Sequence, residues 1–320
     1  MAEKKQSLLA LIEIMKKYSD ERHPLTIKEI QNYLLNEYDI NLDRRTLYAS
    51  MELLRDFNYE VSEYDGKGYY LIERQFEKGE ILLMCNAVHA SHFISAKQSD
   101  DLIRKLLNTQ SKYQQSEFRD KVYMANPLKT PNRQLLLNIE EVSDAIRDSR
   151  QLSFRYMRYD SSKQLVERRP EPYIVEPRYI VYADSRPYLI VTSQNHEGFI
   201  HYRLDRMKDV RVLKEKSRIL PKQSDPYEYA RNKLFMYAGE TYTVTYRCKE
   251  SVMDHMIDIF GTDLLVIPDK EDTFIIKVRT SEQGALYLAQ QFMENITIVE
   301  PEALKEKFLK NLKETEKRYK

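Results

Sequence analysis

Residues 179–213 read YIVYADSRPYLIVTSQNHEGFIHYRLDRMKDVRVL, and the rest of the chain is best understood outward from them. They divide into three short runs of strand character with a polar turn after each of the first two, the pattern of antiparallel strands. The last run continues into Arg203, Asp205 and Arg206 at near-alternate spacing, which directs cations to one patch of a half-buried sheet. Spacing alone leaves two readings open. One is a receptor for something flat and anionic, with arginine forks and tyrosine faces; the other is an arginine pair held by Asp205.

Alternation names the residues of the first reading. Tyr188 leaves the second run beside the third, and His201 and Arg203 share a side of the third by the period of two. Arg206 is one step off that alternation and reaches the same pocket only through a bend at the strand end. Tyr156 and Arg158, two apart on an earlier strand, are candidates for its rim.

The chain has 320 residues, 32% charged and 42% hydrophobic, which suits a soluble protein of more than one domain. No apolar run approaches the ~18 to 20 residues of a membrane span, and the start carries no export signal. Two cysteines far apart, Cys85 and Cys248, argue against a disulfide framework and for a reducing cytoplasm. The net charge of +1 neither requires nor excludes a polyanionic partner.

From Ser7 to Tyr18 apolar residues fall at helical spacing. Thr26 and Glu29 form a capping-box signature for a second helix, and Asp43 is a good N-cap for a third carrying Leu47, Met51 and Leu54 inward. Asn58 suits the left-handed stop of that helix. Strands over 59–64 and 69–72 then flank the turn Asp65-Gly66-Lys67-Gly68. Three helices and a hairpin predict a winged helix-turn-helix over 1–76, whose third helix enters the DNA major groove. Arg44, Arg45, Thr46, Tyr48 and Ser50 are its candidate contacts and Lys67 that of the wing. Eleven Lys/Arg against fourteen Asp/Glu in 1–76 give this domain a net charge of −3, which weighs against DNA.

Residues 77–149 read as a helical linker, with helices over 77–112 and from Leu135 to Arg147 and a polar crossing from Ser111 to Arg133. Cys85, His89 and His92 fall at i, i+4 and i+7, a spacing that could hold a metal, but the same positions suit a buried stripe and no fourth ligand stands nearby; no metal or cofactor is expected. A barrel is expected over 150–215, with a strand from Ser153 to Tyr159 and another from Val166 to Ile174 bent by Pro170 and Pro172. A charged connection with Pro221 and Pro226 follows. From Thr241 the order strand, helix, strand, strand, helix, strand predicts a ferredoxin-like plan over 238–320, closed by a helix from Pro301.

Pro187-Tyr188-Leu189 and Tyr202-Arg203-Leu204-Asp205-Arg206-Met207 resemble the two motifs of the WYL domain, a small SH3-like β-barrel. Proline stands where that family usually has tryptophan, while Tyr188 and both arginines are kept. Asp43-Arg44-Arg45-Thr46-Leu47-Tyr48 is similar to the recognition helix of the amino-terminal domains of WYL regulators, with alanine at 49 where relatives often carry arginine. Ile298-Val299-Glu300-Pro301-Glu302-Ala303-Leu304 resembles the end of the carboxy-terminal extension (WCX type) that accompanies WYL domains. With all three, the resemblance covers nearly the whole chain. It implies a multidomain α+β cytoplasmic transcription regulator and a homodimer on duplex promoter DNA. It also implies a nucleotide or short single-stranded nucleic acid as the ligand of the WYL domain.

Phosphate-binding glycine loops, nucleophile elbows and HExxH pairs are absent, and the histidines are scattered, so no enzyme is expected. A hydrolase would need carboxylates beside the arginines, where only Asp205 is placed. The competing binding role is an RNA- or single-strand-binding accessory protein in which the WYL domain is the main module.

Overall fold

The computed structural model describes residues 2–64, 66–72, 74–119, 129–183, 185–194, 196–218, 236–237, 239–270 and 272–320. It is a mixed α+β chain in two compact units, residues 1–133 and 134–320.

The first unit opens with α1 (Ala2–Tyr18), α2 (Ile27–Tyr38) and α3 (Arg44–Asp56). Local chemistry sets their ends. Thr26 and Glu29 form a reciprocal capping box on α2, and Asp39 stops it in the left-handed conformation. Asp43 caps α3 by accepting from the Thr46 amide, and Asn58 beyond it has φ of 62°. Leu47, Met51 and Leu54 face inward onto Leu11, Ile14, Met15, Ile30 and Leu34.

The hairpin β1 (Val61–Glu63) and β2 (Tyr69–Leu71) is antiparallel and tied to the chain before α2, because Leu25 and Tyr69 exchange backbone hydrogen bonds of 2.8 Å each. That contact fixes one residue type. Gly68 has φ of +148°, and a Cβ there would meet the Leu25 carbonyl oxygen at 2.7 Å.

Helices α4 (Lys78–Ala90), α5 (Ala96–Leu107) and α6 (Lys112–Arg119) complete the unit around Ile81, Cys85, Leu107 and Phe118. Two expectations change here. The polar crossing contains a helix, α6, whose start is capped by the Ser111 hydroxyl accepting from the Gln114 amide at 3.2 Å; residues 120–128 of that stretch, with Pro127, lie outside the described residues. Helix α4 ends at Ala90, so His92 does not share a helix face with Cys85 and His89. Cys85 is fully buried, and no cluster of three metal-ligating side chains occurs among the described residues.

In the second unit α7 (Leu135–Arg147) packs on a six-stranded antiparallel sheet: β3 (Arg150–Tyr159), β4 (Leu165–Glu167), β5 (Tyr173–Ala183), β6 (Arg186–Ser193), β7 (His196–Arg203) and β8 (Met207–Lys216). Strand β3 is central. It pairs with β5 through its first half, with β4 through its second, and with β8 on its other edge. The path β3-β5-β6-β7 returns through β8 to β3, but no β7–β8 ladder occurs among the described residues, so no closed barrel forms.

The expected bent strand from Val166 to Ile174 is two strands, broken where prolines 170 and 172 cannot donate to a ladder. The third run of the 179–213 stretch also ends early. Arg203 closes β7, Leu204–Arg206 is a 3-10 turn, and a further strand, β8, follows as far as Lys216. Pro221 and Pro226 of the expected connection lie outside the described residues.

Beyond it come β9 (Thr241–Lys249), α8 (Met253–Phe260), β10 (Val266–Pro268), β11 (Thr273–Ser281), α9 (Glu282–Gln291), β12 (Ile296–Glu300) and α10 (Glu302–Tyr319). The sheet order is β10-β11-β9-β12, antiparallel throughout, over a core containing Tyr246, Phe274, Leu288 and Ile298. No helix among the described residues is long and apolar enough to cross a membrane.

Candidate functional site

In the first unit, Arg44, Arg45 and Tyr48 of α3 and Lys67 of the hairpin turn are exposed. Arg44, Tyr48 and Lys67 line one groove of about 610 Å³, joined from α2 by Lys28, which sequence reasoning missed. Tyr48 is aimed by an edge contact with Tyr69, ring centroids 6.2 Å apart, and the Lys67 ammonium lies 5.4 Å from the Tyr64 ring centre. Thr46 and Ser50 are differently placed. The Thr46 hydroxyl donates to Asp43 at 2.7 Å and the Ser50 hydroxyl to the Thr46 carbonyl at 2.9 Å, so both already serve the helix.

In the second unit the register sets Tyr188 opposite Arg203 and Ile190 opposite His201. Tyr188, His201 and Arg203 therefore share a sheet face, as alternation requires. The His201 Nδ1 is 2.9 Å from the Met236 carbonyl oxygen, which can only accept, so that nitrogen carries the proton. Met236 itself is buried against Val181 and Ile190, with Tyr188 packed beside them.

Arg203 is not a solvent-facing arm. Its Nη2 donates to Asp205 at 2.6 Å and its Nε at 3.0 Å, and Asp205 is 5% exposed. Burial alone lowers the guanidinium pKa; the bidentate pair with Asp205 outweighs it, and the result lies above the ordinary value. The Arg203 amide also donates to the Tyr156 hydroxyl at 3.1 Å, and burial raises the pKa of that phenol.

Arg206, on the 3-10 turn, reaches the same locality from another direction. Its guanidinium carbon lies 5.7 Å from the Tyr159 ring centre, and its buried Nε has no hydrogen-bond partner among the described residues. The turn is held by Asn138 of α7, a buried amide that donates to the Met207 carbonyl at 2.9 Å. Arg158 is exposed, opposite Val166 of β4, and has no ion pair among the described residues.

Around Tyr156 stands an aromatic group that sequence reasoning did not assemble. Phe154, Tyr156, Tyr173 and Tyr202 contact one another with centroids 5.0–6.3 Å apart. Arg169 lies on Tyr173 with its guanidinium carbon 3.6 Å from the ring centre, held there by the Glu171 and Pro172 carbonyls. Burial, the main cause, pushes the Tyr202 phenol up to about 12. The signal for Arg169 was the run Arg168-Arg169-Pro170, where proline ends a strand and turns the chain back.

Residues 138–212 match the family model for the WYL domain, so the chain carries that domain over this stretch. No curated protein matches. Among solved structures the chain is similar to proteasome accessory factor B/C (PafBC) of Arthrobacter aurescens, at 16% identity and a TM-score of 0.28, covering 95% of this chain and 47% of that one. It thus spans about half the length of that relative. It is also similar to a CRISPR Cas-related protein at 13% identity and a TM-score of 0.37, covering 99% of this chain and 85% of that one.

Proposed function

We propose that this WYL-domain protein is a cytoplasmic transcription regulator. In this reading the winged helix binds promoter duplex, a homodimer sets two half-sites, and the β3–β8 sheet, an open SH3-like barrel, senses a nucleotide or short single-stranded nucleic acid. The β9–β12 sheet with its helices is the ferredoxin-like extension. The role is binding without catalysis or cofactor.

The observation that carries the reading is the groove bordered by Lys28, Arg44, Tyr48 and Lys67, where cations from α2, α3 and the wing meet on one exposed surface. They outweigh locally a domain whose net charge is −3. Cations gathered on one face supply phosphate affinity, and Arg45 beside them supplies a fork for a guanine edge. Support for the sensor comes from Arg206 Nε, a buried donor with no acceptor among the described residues, on a guanidinium beside the Tyr159 ring, a face on which a base can stack.

The acidic balance of the first domain favours a second reading, an accessory protein that binds RNA or single-stranded DNA mainly through the WYL domain. Gel shifts of the full chain against duplex and single-stranded genomic fragments, run in parallel at matched salt, separate the two. The regulator reading expects retention of specific duplex fragments and a loss of about 1–3 kcal/mol in Arg45→Ala. Retention of single strands alone favours the accessory protein.

A further inference from the structure

The first unit holds a second groove that the winged-helix reading does not use. It measures about 810 Å³ and lies among the last turn of α1, the residues after α3, and the turn between α5 and α6. Four of its lining side chains are cations, Lys16, Lys17, Arg74 and Lys112, against one carboxylate, Glu13. The remainder is largely amide and hydroxyl.

Most of these cations are held by neutral groups. Lys17 does have a carboxylate, Glu37, at 2.9 Å. Lys16 reaches Glu13 only at 3.8 Å, an exposed contact of little strength, and lies 5.7 Å from the Tyr59 ring centre. Lys112 forms no ion pair among the described residues; its ammonium sits over Tyr18 at 4.3 Å and Tyr113 at 4.8 Å. Arg74 donates to the Lys16 carbonyl at 3.0 Å and to that of Ser19, at the end of α1. Burial lowers the pKa of its guanidinium, opposed only in part by the charge of Asp20.

Of these four cations only Lys17 has a carboxylate nearer than 3.8 Å among the described residues, so the cations of this polar hollow, held mainly by rings and carbonyls, are balanced only in part. We propose that this groove binds a small polyphosphate anion, either pyrophosphate itself or the terminal phosphates of a phosphorylated metabolite, between Lys16, Arg74 and Lys112. The volume lies within the ~300–1,000 Å³ range of small-ligand sites. A duplex held at Arg44 does not account for it, because Asn58 and Tyr59 follow the other end of α3, a helix of 13 residues and hence about 20 Å long.

The site adjoins a joint in the unit. Lys112 begins α6, between Ser111, whose hydroxyl donates to Asp20 at 2.5 Å, and Tyr113, whose ring stacks on His23 at 3.8 Å. An anion that draws Lys112 off Tyr18 acts directly on the fastening between α6 and the α1–α2 turn.

Calorimetric titration of the full chain with inorganic pyrophosphate, at ionic strength matched with sodium chloride, tests this. Saturable binding is expected, weakened at least about tenfold in the exposed pair Lys16→Gln/Lys112→Gln through loss of charge-assisted hydrogen bonds, and retained in Arg206→Ala. Absence of saturable binding, equal binding by the double variant, or loss in Arg206→Ala overturns the proposal. Should the double variant not fold, hydrogen exchange of the parent decides: pyrophosphate slows exchange across residues 108–116 if the site is right and leaves it unchanged if it is wrong.

Discussion

Replacing Arg203 by alanine should destabilise the second unit rather than merely remove a ligand contact. The guanidinium makes two hydrogen bonds to Asp205, at 2.6 and 3.0 Å, and the carboxylate it faces is 5% exposed. Breaking a buried pair from one side costs about 3–5 kcal/mol, because the remaining charge loses its partner where water cannot replace it. The Arg203 side chain is 19% exposed, so water screens part of the loss and about 3 kcal/mol is the better expectation. A unit of this size shifts by ~2–4 °C per kcal/mol, which sets the drop in melting temperature at roughly 6–12 °C. Urea unfolding of Arg203→Ala, Asp205→Ala and the double variant should show the double to be less destabilised than the two singles added. A melting temperature of Arg203→Ala within about 2 °C of the parent would refute the reasoning.

Two further outcomes follow from local geometry. Gly68→Ala should loosen the β1–β2 hairpin by about 1–3 kcal/mol, since neither the positive φ nor the Leu25 carbonyl leaves room for a Cβ; faster hydrogen exchange over residues 61–71 is the readout, and unchanged exchange contradicts it. Glu176 is buried and accepts from Thr192 at 2.9 Å, Arg178 at 3.1 Å and Arg218 at 2.9 Å. Burial raises its pKa, but the hydrogen bonds from Arg218 and Thr192 prevail and hold it below its ordinary 4.5. Its contribution to stability is therefore full above that value and is lost as pH falls through the depressed one. Glu176→Gln should unfold more easily at pH 7 and show a flatter acid limb; an identical limb would exclude Glu176 as its source.

What was legible in the sequence was local. The Thr26–Glu29 box and the Asp43 cap are each made within four residues, and the structure forms both. That His201 and Arg203 share a face follows from strand period alone, and the order of adjacent antiparallel strands brings Tyr188 beside them. What escaped depends on residues distant in the chain. The turn at Leu204–Arg206 looked like continuing strand because the group that holds it, Asn138, lies 69 residues from the carbonyl it binds. Whether Asp205 holds Arg203 stayed open in the sequence, because spacing cannot show that Asp205 is buried. Arg169 was hidden inside what read as a single bent strand, and α6 inside a polar stretch whose amphipathic signal is short.

The central claim, that the WYL sheet senses a nucleic-acid ligand, is tested most directly by titrating a short single-stranded oligonucleotide calorimetrically into the parent and into Arg206→Ala. Arg206 has a buried Nε without an acceptor and forms no ion pair among the described residues, so its loss should leave melting nearly unchanged. A charged hydrogen bond is worth about 1.5–3 kcal/mol. The parent should therefore bind saturably and the variant at least about tenfold more weakly. Equal affinity in the two proteins, or no binding by the parent, would contradict the account.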